Sequence, residues 1–227
     1  MPNWVYSTVT VEGPAEDIAR FISAAKGADH RYFLSTFEVG KEAKSNYWEA
    51  FTDIQIKSMI EDGMELTKPN ETGFGFHALF PIPAAILAMP YDEHNLRRLR
   101  DINPAVDAFC KAEGITMSGY EWEYENWGCK WGDCSTEVRE VSDTHVNIYF
   151  ETAWAPCHPF WKKVSADYPT LTITMDYTEE GGHFEGEAVY TAGSAEINEW
   201  VPERNEEEYD DDDDDSICEG SPSALEG

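Results

Sequence analysis

"THVNIYFETAWAPCHPFWKKVSADYPTLTITMDYTEEGGHFEGEAVYTAG", Thr144 to Gly193, is the stretch whose reading decides the fold. Its opening, THVNIYFETAW, alternates side-chain character and is rich in β-branched and aromatic residues, which predicts a strand. PCHPFWKKVSADYP follows, proline-initiated, with Phe160, Trp161 and Val164 at helical spacing and Pro169 just past its end, which predicts a helix. Leu171, Ile173 and Met175 then alternate with threonines, and Glu180-Gly181-Gly182 supplies the turn of a hairpin. Strand, helix and hairpin in that order place a helix over an antiparallel sheet.

Upstream segments extend the same pattern. STEVREV, residues 135–141, is a short alternating run separated from THVNIYFETAW by Ser142-Asp143, so the two read as a hairpin. At the N-terminus WVYSTVTVEG, 4–13, reads as a strand closed by Gly13-Pro14. PAEDIARFISAAKG, 14–27, has Pro14 in its first turn, Glu16 and Asp17 at the positive end of the dipole and Gly27 as a stop. Its Ile18, Phe21, Ile22 and Ala25 share one face. A helical insertion is expected around 28–118. SNYWEAFTDIQIKSMIEDG carries Ile56, Met59 and Ile60 on one face, and TKPNETGFG has loop chemistry. Pro81 and Pro83 force extended backbone before a short helix, and Pro104 divides or starts a helix in EHNLRRLRDINPAVDAFCKAEGI. The expected fold class is α+β: a sandwich, mainly antiparallel, with two helices on one face of the sheet plus the insertion. The domain spans 1–200.

Residues 201–227 are different. The stretch from 203 holds twelve acids and one arginine within a chain of formal charge −29. Such a segment repels itself and cannot bury enough apolar surface to offset its ordering entropy, so an acidic disordered tail is expected. The remaining body is acidic too. Direct nucleic-acid binding by the bulk surface therefore meets repulsion and forgoes counterion release. No apolar run reaches membrane-spanning length, and the N-terminus lacks a basic segment followed by an apolar one, so a cytoplasmic protein is expected. Five cysteines, an odd number, argue against a disulfide framework.

Ten residues concentrate chemistry: "ENWGCKWGDC", Glu125 to Cys134. Cys129 and Cys134 lack a well-spaced second ligand pair, since Cys157 and His158 are adjacent, so zinc is not favoured. A Cys129 nucleophile would need a nearby histidine, and only His145 and His158 are candidates. The structural reading accounts for most of the residues. Trp127 and Trp131 anchor an irregular loop, Gly128 and Gly132 take backbone conformations closed to other residues, Asn126 and Asp133 bond the loop's own backbone, and Lys130 offsets neighbouring acids. The alternative is an interaction surface using the same tryptophans. Glu121, Glu123 and Glu125 alternate with Trp122 and Tyr124 as on a strand face, where solvation is favoured over cation binding. His183 reads as a surface residue at a turn, and a cis or tightly turned Pro156 or Pro159 sets Trp154 against the helix as core.

MPNWVYSTVTVEGP (1–14), LFPIP (79–83), WEYENWGCKWGD (122–133), FETAWAP (150–156) and GGHFEG (181–186) together resemble the Api92-like family of phage and plasmid proteins, with its YubB-type ferredoxin-like domain. The resemblance spans roughly residues 1–192, and the acidic tail and the segment near 40–73 look like additions of this chain. It implies a ferredoxin-like fold and a home in a bacteriophage, prophage or conjugative plasmid. It brings no catalytic residues, and Cys129 stands where that family usually has threonine.

No cofactor, bound metal or catalytic residue is indicated, because phosphate-cradling, Ser-His-Asp and HExxH motifs are missing from the sequence. The expected function is that of a non-enzymatic accessory protein that binds and inhibits a host protein with a basic surface, such as a defence nuclease. Its acidic surface resembles the charge of DNA. The tail acids Glu206, Glu207, Glu208, Asp210, Asp211, Asp212, Asp213, Asp214 and Asp215 are the candidate partner-binding residues, with the exposed tryptophans. The alternatives are a small-ligand or single-stranded nucleic-acid module stacking bases on Trp4, Tyr149 or Trp154, and an unrecognised metal-dependent enzyme.

Overall fold

A computed structural model describes residues 2–30 and 67–202. The apolar face expected at Ile56, Met59 and Ile60 and the acidic run from 203 lie outside these residues. The chain enters on β1 (Trp4–Glu12), continues into α1 (Ala15–Ala25), and forms a two-residue ladder between β2 (Asp29–His30) and β3 (Thr67–Lys68). Five helices follow: α2 (Phe76–Leu79), α3 (Ala84–Leu87), α4 (Glu93–Ile102), α5 (Pro104–Ala112) and α6 (Gly119–Asn126). Then come β4 (Lys130–Val141), β5 (His145–Ala153), α7 (His158–Asp167), β6 (Thr172–Glu179), β7 (Glu185–Thr191) and β8 (Ser194–Trp200).

Six strands form one antiparallel sheet in the order β4-β5-β1-β6-β7-β8. β1 lies in the middle because its paired neighbours, β5 and β6, are joined over it by α7, giving a split β-α-β unit. The α+β class and ferredoxin-like sheet read from the sequence are the observed ones. β8 is a strand that the sequence reading did not include. Pro104 opens α5 from an Asn103 cap, whose carboxamide oxygen accepts from the Ala105 and Val106 amides.

Alternation on the strands sends Val5, Val9, Val11, Ile148, Phe150, Ile173 and Met175 to one face, where each is at most 1% exposed. α1 covers that face with Ile18 and Phe21, and α7 with Phe160, Trp161 and Val164. Residues from the α2 region complete the interior: Phe76 stacks on Phe160 at 3.9 Å, and Phe74 lies between Phe150 and Trp161 at 6.1 and 5.9 Å. Ring pairs at these separations add about 0.5–1.5 kcal/mol each beyond the area they bury.

One expectation fails in the helical section. Glu121, Glu123 and Glu125 do not share a strand face, because residues 119–126 form α6. Ser118 caps it, accepting from the Glu121 amide, while the Glu121 carboxylate accepts from the Ser118 amide. That reciprocal box starts a helix where the alternation of acids and aromatics suggested a strand. The three carboxylates diverge, and Glu123 turns fully inward at 0% exposure.

Candidate functional site: the open face of the sheet

Among the described residues the helices occupy one side of the sheet, and none covers the other. β1 presents Trp4, Tyr6, Thr8 and Thr10 there, β5 presents Tyr149 and Glu151, and β6 presents Asp176 and Thr178. β7 adds Glu185 and Glu187, and β8 adds Glu196, Asn198 and Trp200. Strand register sorts these into rows. One row runs Tyr149, Thr8, Asp176, Glu187, Asn198, and the next runs Glu151, Tyr6, Thr178, Glu185, Trp200. Between them lies a shallow groove of about 300 Å³ bordered by Tyr6, Tyr149, Asp176, Glu185 and Trp200.

The groove joins aromatic rings to carboxylates. The Tyr149 ring lies 4.3 Å beneath the Arg139 guanidinium, and its hydroxyl donates to Glu151 at 3.1 Å. The Trp200 indole donates to Glu185 at 2.7 Å. Desolvation, then the charges of Glu180 and Glu151, raise the Tyr6 phenol, while desolvation and the Glu151 hydrogen bond raise that of Tyr149. Both phenols thus remain donors at neutral pH. Asp176 stands directly opposite Glu187. Like charges facing each other across a ladder destabilise a sheet, so this pair works against the fold that carries it.

At one end of the face Lys130, Ala153 and Trp4 are in register across β4, β5 and β1. Trp131 and Trp154 extend from there, 43% and 50% exposed. The Lys130 ammonium lies 4.2 Å from the Trp131 ring centroid and 5.4 Å from that of Trp154. The core role expected of Trp154 is therefore corrected: the residue is half-exposed, with a left-handed φ of +72°.

Beneath this end is a buried polar network. Glu123 accepts from the Trp131 amide at 2.6 Å and the Tyr91 hydroxyl at 2.9 Å, and its other oxygen is 3.5 Å from His30 Nε2. Burial alone would lower the His30 pKa, but hydrogen bonds to Asp29 and Glu123, with the charges of both, raise it to about 9. His77, whose Nδ1 accepts from the Ile82 amide, is held down at about 4 by burial and then by the neighbouring His30.

The signature loop residues separate. Trp127 is fully buried, and its indole donates to the Phe80 carbonyl. Gly132 has φ +65°, and a Cβ there would stand 2.9 Å from the Trp127 ring. Gly128 has φ +83°, and a Cβ would meet Pro159 at 2.5 Å. Three expectations need correction. Trp131 is an exposed ring rather than a second buried anchor. Asn126 bonds backward to the Trp122 carbonyl, and Asp133 accepts from the distant Phe76 amide at 2.7 Å and from Thr136, so neither bonds as expected within the loop. Lys130 is held over indole rings. Cys129 is buried, and burial pushes its thiol well up, which suppresses the thiolate. Cys134 is pushed up to about 11 by burial, then by Asp133. His183 donates to the buried Glu179 through its amide at 3.0 Å, while its ring is largely exposed. The nine tail acids, Glu206–Glu208 and Asp210–Asp215, lie outside the described residues.

Sequence reasoning passed over Tyr6, Asp176, Glu185, Glu187 and Trp200. Alternation carried the signal, because outward positions of a half-buried strand that hold aromatics and acids mark an exposed face with something to bind. Among the described residues no set of three or more His, Cys, Asp or Glu side chains is arranged to hold a metal ion. No helix among them is long and apolar enough to cross a membrane.

Residues 115–219 match the family model of the ferredoxin-like domain in Api92-like protein. The match covers the C-terminal part of the chain and extends past residue 202. The central strand β1 lies outside it. Among solved structures the chain is similar to the crystal structure of a protein api92 from Yersinia pseudotuberculosis, at 10% identity and a TM-score of 0.48, covering 90% of this chain and 100% of that one. No curated protein matches. Residues 115–219 are thus similar to the ferredoxin-like domain in Api92-like protein.

Proposed function

We propose that the protein is a non-enzymatic binding protein that docks a basic protein on the open face of its sheet. It acts as an accessory factor of a phage or other mobile element in the bacterial cytoplasm, inhibiting the host protein that it captures. The observation that carries this reading is the opposition of Asp176 and Glu187 in an aromatic-lined groove beside Glu185. Strands that place like charges face to face lose stability, and a cationic partner removes that repulsion. The acidic tail adds steering toward the same partner. Carboxylates spaced along a sheet can imitate the charge of DNA toward a nuclease, which is the sharper form of the proposal.

Capture from bacterial lysate by the full chain, compared with an Asp176→Lys, Glu185→Lys, Glu187→Lys variant at low and high salt, tests it. A stoichiometric basic partner held by the native chain and lost from the variant is expected. A partner bound equally by both chains excludes the open face. The exposed rings of Tyr6, Tyr149 and Trp200 favour one second reading, a module that stacks nucleobases or small aromatic ligands. Saturable tryptophan fluorescence change with single-stranded RNA or DNA at low salt distinguishes it.

A further inference from the structure

Trp131 and Trp154 both adopt the left-handed backbone region, with φ of +68° and +72°. That region is unfavourable for bulky side chains. Each conformation is held from the interior. The Trp131 amide is bound by Glu123, which is fully buried, at 2.6 Å. The Trp154 amide donates to the Asn3 carbonyl at 2.9 Å, and the Asn3 carboxamide donates to Glu179 at 2.5 Å. Glu179 is 3% exposed and also accepts from His183. Two interior carboxylates thus maintain two strained residues whose rings are 43% and 50% exposed and contribute little to the core. Backbone strain maintained by surrounding structure clusters at ligand clamps.

The space beside these rings already holds a cation. Lys130 Nζ is 4.2 Å from one centroid and 5.4 Å from the other, and Trp4 lies 6.3 Å from Trp131 at 49°. Glu180 accepts from the Trp4 amide at 3.1 Å, placing a carboxylate at the rim. We propose that Trp4, Trp131 and Trp154 form an aromatic clamp for an arginine side chain of the basic partner, with Lys130 as its resident stand-in. A guanidinium stacks flat on an indole and sheds water more readily than an ammonium, so arginine is preferred over lysine. The clamp rests on the reading of the open face as a docking surface and adds the chemical group that anchors there.

Fluorine NMR of the full chain labelled with 5-fluorotryptophan, assigned through single Trp→Phe variants, tests the clamp. The probes are tetra-arginine and tetra-lysine peptides. The Trp131 and Trp154 resonances are expected to shift saturably, with about threefold tighter apparent affinity for the arginine peptide. Lys130→Met, which removes the internal competitor, is expected to tighten the arginine peptide further. Shifts at Trp200 without shifts at Trp131 and Trp154 would overturn the clamp and leave the groove reading standing. Shifts at Trp131 and Trp154 without Trp200 would support the clamp and count against the groove. Stillness of all three resonances, or equal affinity for the two peptides, would overturn the clamp.

Discussion

The two faces of the sheet are made by the same strands, residue by residue in alternation, and they differ in what their side chains do. On the helix side Phe150, Trp161, Phe160 and Phe76 pack ring against ring with no solvent contact. On the open side Tyr6, Tyr149 and Trp200 stand among carboxylates, and Asp176 opposes Glu187. The first arrangement lowers the free energy of the fold. The second raises it and offers charge and aromatic surface to something else. Trp127 and Trp131, four positions apart, condense the contrast into five residues, one ring fully buried and the other 43% exposed.

The largest test of this contrast uses those two residues. Trp127→Ala empties a closed site and orphans the Phe80 carbonyl, so it is expected to cost about 3–5 kcal/mol in urea unfolding. Trp131→Ala is expected to cost less than about 1 kcal/mol, because the residue stays partly solvated and outside the core. Comparable losses at the two positions would erase the distinction. Next in size is Glu123→Ala, which removes the carboxylate that the Trp131 amide and the Tyr91 hydroxyl donate to and is expected to cost about 2–4 kcal/mol. It also frees the Trp131 backbone, which broadens that residue's NMR signals.

A smaller effect is read from pH. The His30 pKa is raised from its ordinary 6.5 to about 9 in the fold, so the stability from its contacts is full below 6.5 and is lost as pH rises through 9. His77 is lowered to about 4, so the unfolded chain takes up its proton first and stability falls as pH drops from 6.5 towards 4. Urea midpoints should therefore peak near pH 6–7. His30→Gln should flatten the alkaline limb and, by removing one cause of the low His77 pKa, soften the acid limb as well, while His77→Gln should flatten this contribution on the acid limb only.

Much of the fold was legible because its elements obey simple periods. Val5, Val9 and Val11, Ile173 and Met175, and Phe160, Trp161 and Val164 repeat at strand or helix spacing. Two elements escaped for opposite physical reasons. β8 reads SAEINEW, with Ile197 its one large apolar residue on the helix side, so pairing with β7 makes it a strand where hydrophobic alternation is weak. Residues 119–126 alternate like a strand, yet the Ser118 and Glu121 capping box makes them a helix. The glycines beside Trp127 were readable as conformational requirements. The separation of Trp127 from Trp131 was not, since a left-handed backbone at a tryptophan depends on the distant Glu123. The groove was hidden similarly: Tyr6, Asp176, Glu187 and Trp200 are far apart in the chain and meet only through register.

The central claim, that the open face serves binding at the expense of the fold, is tested most directly by the double variant Asp176→Asn, Glu187→Gln. Urea unfolding and calorimetric titration with the captured partner, or with the tetra-arginine peptide, would be measured on the same samples of the full chain. Removing the opposed charges is expected to stabilise the protein by about 0.2–1 kcal/mol and to weaken binding at least severalfold. A variant that is less stable than the native chain, or that binds as tightly, would contradict the account.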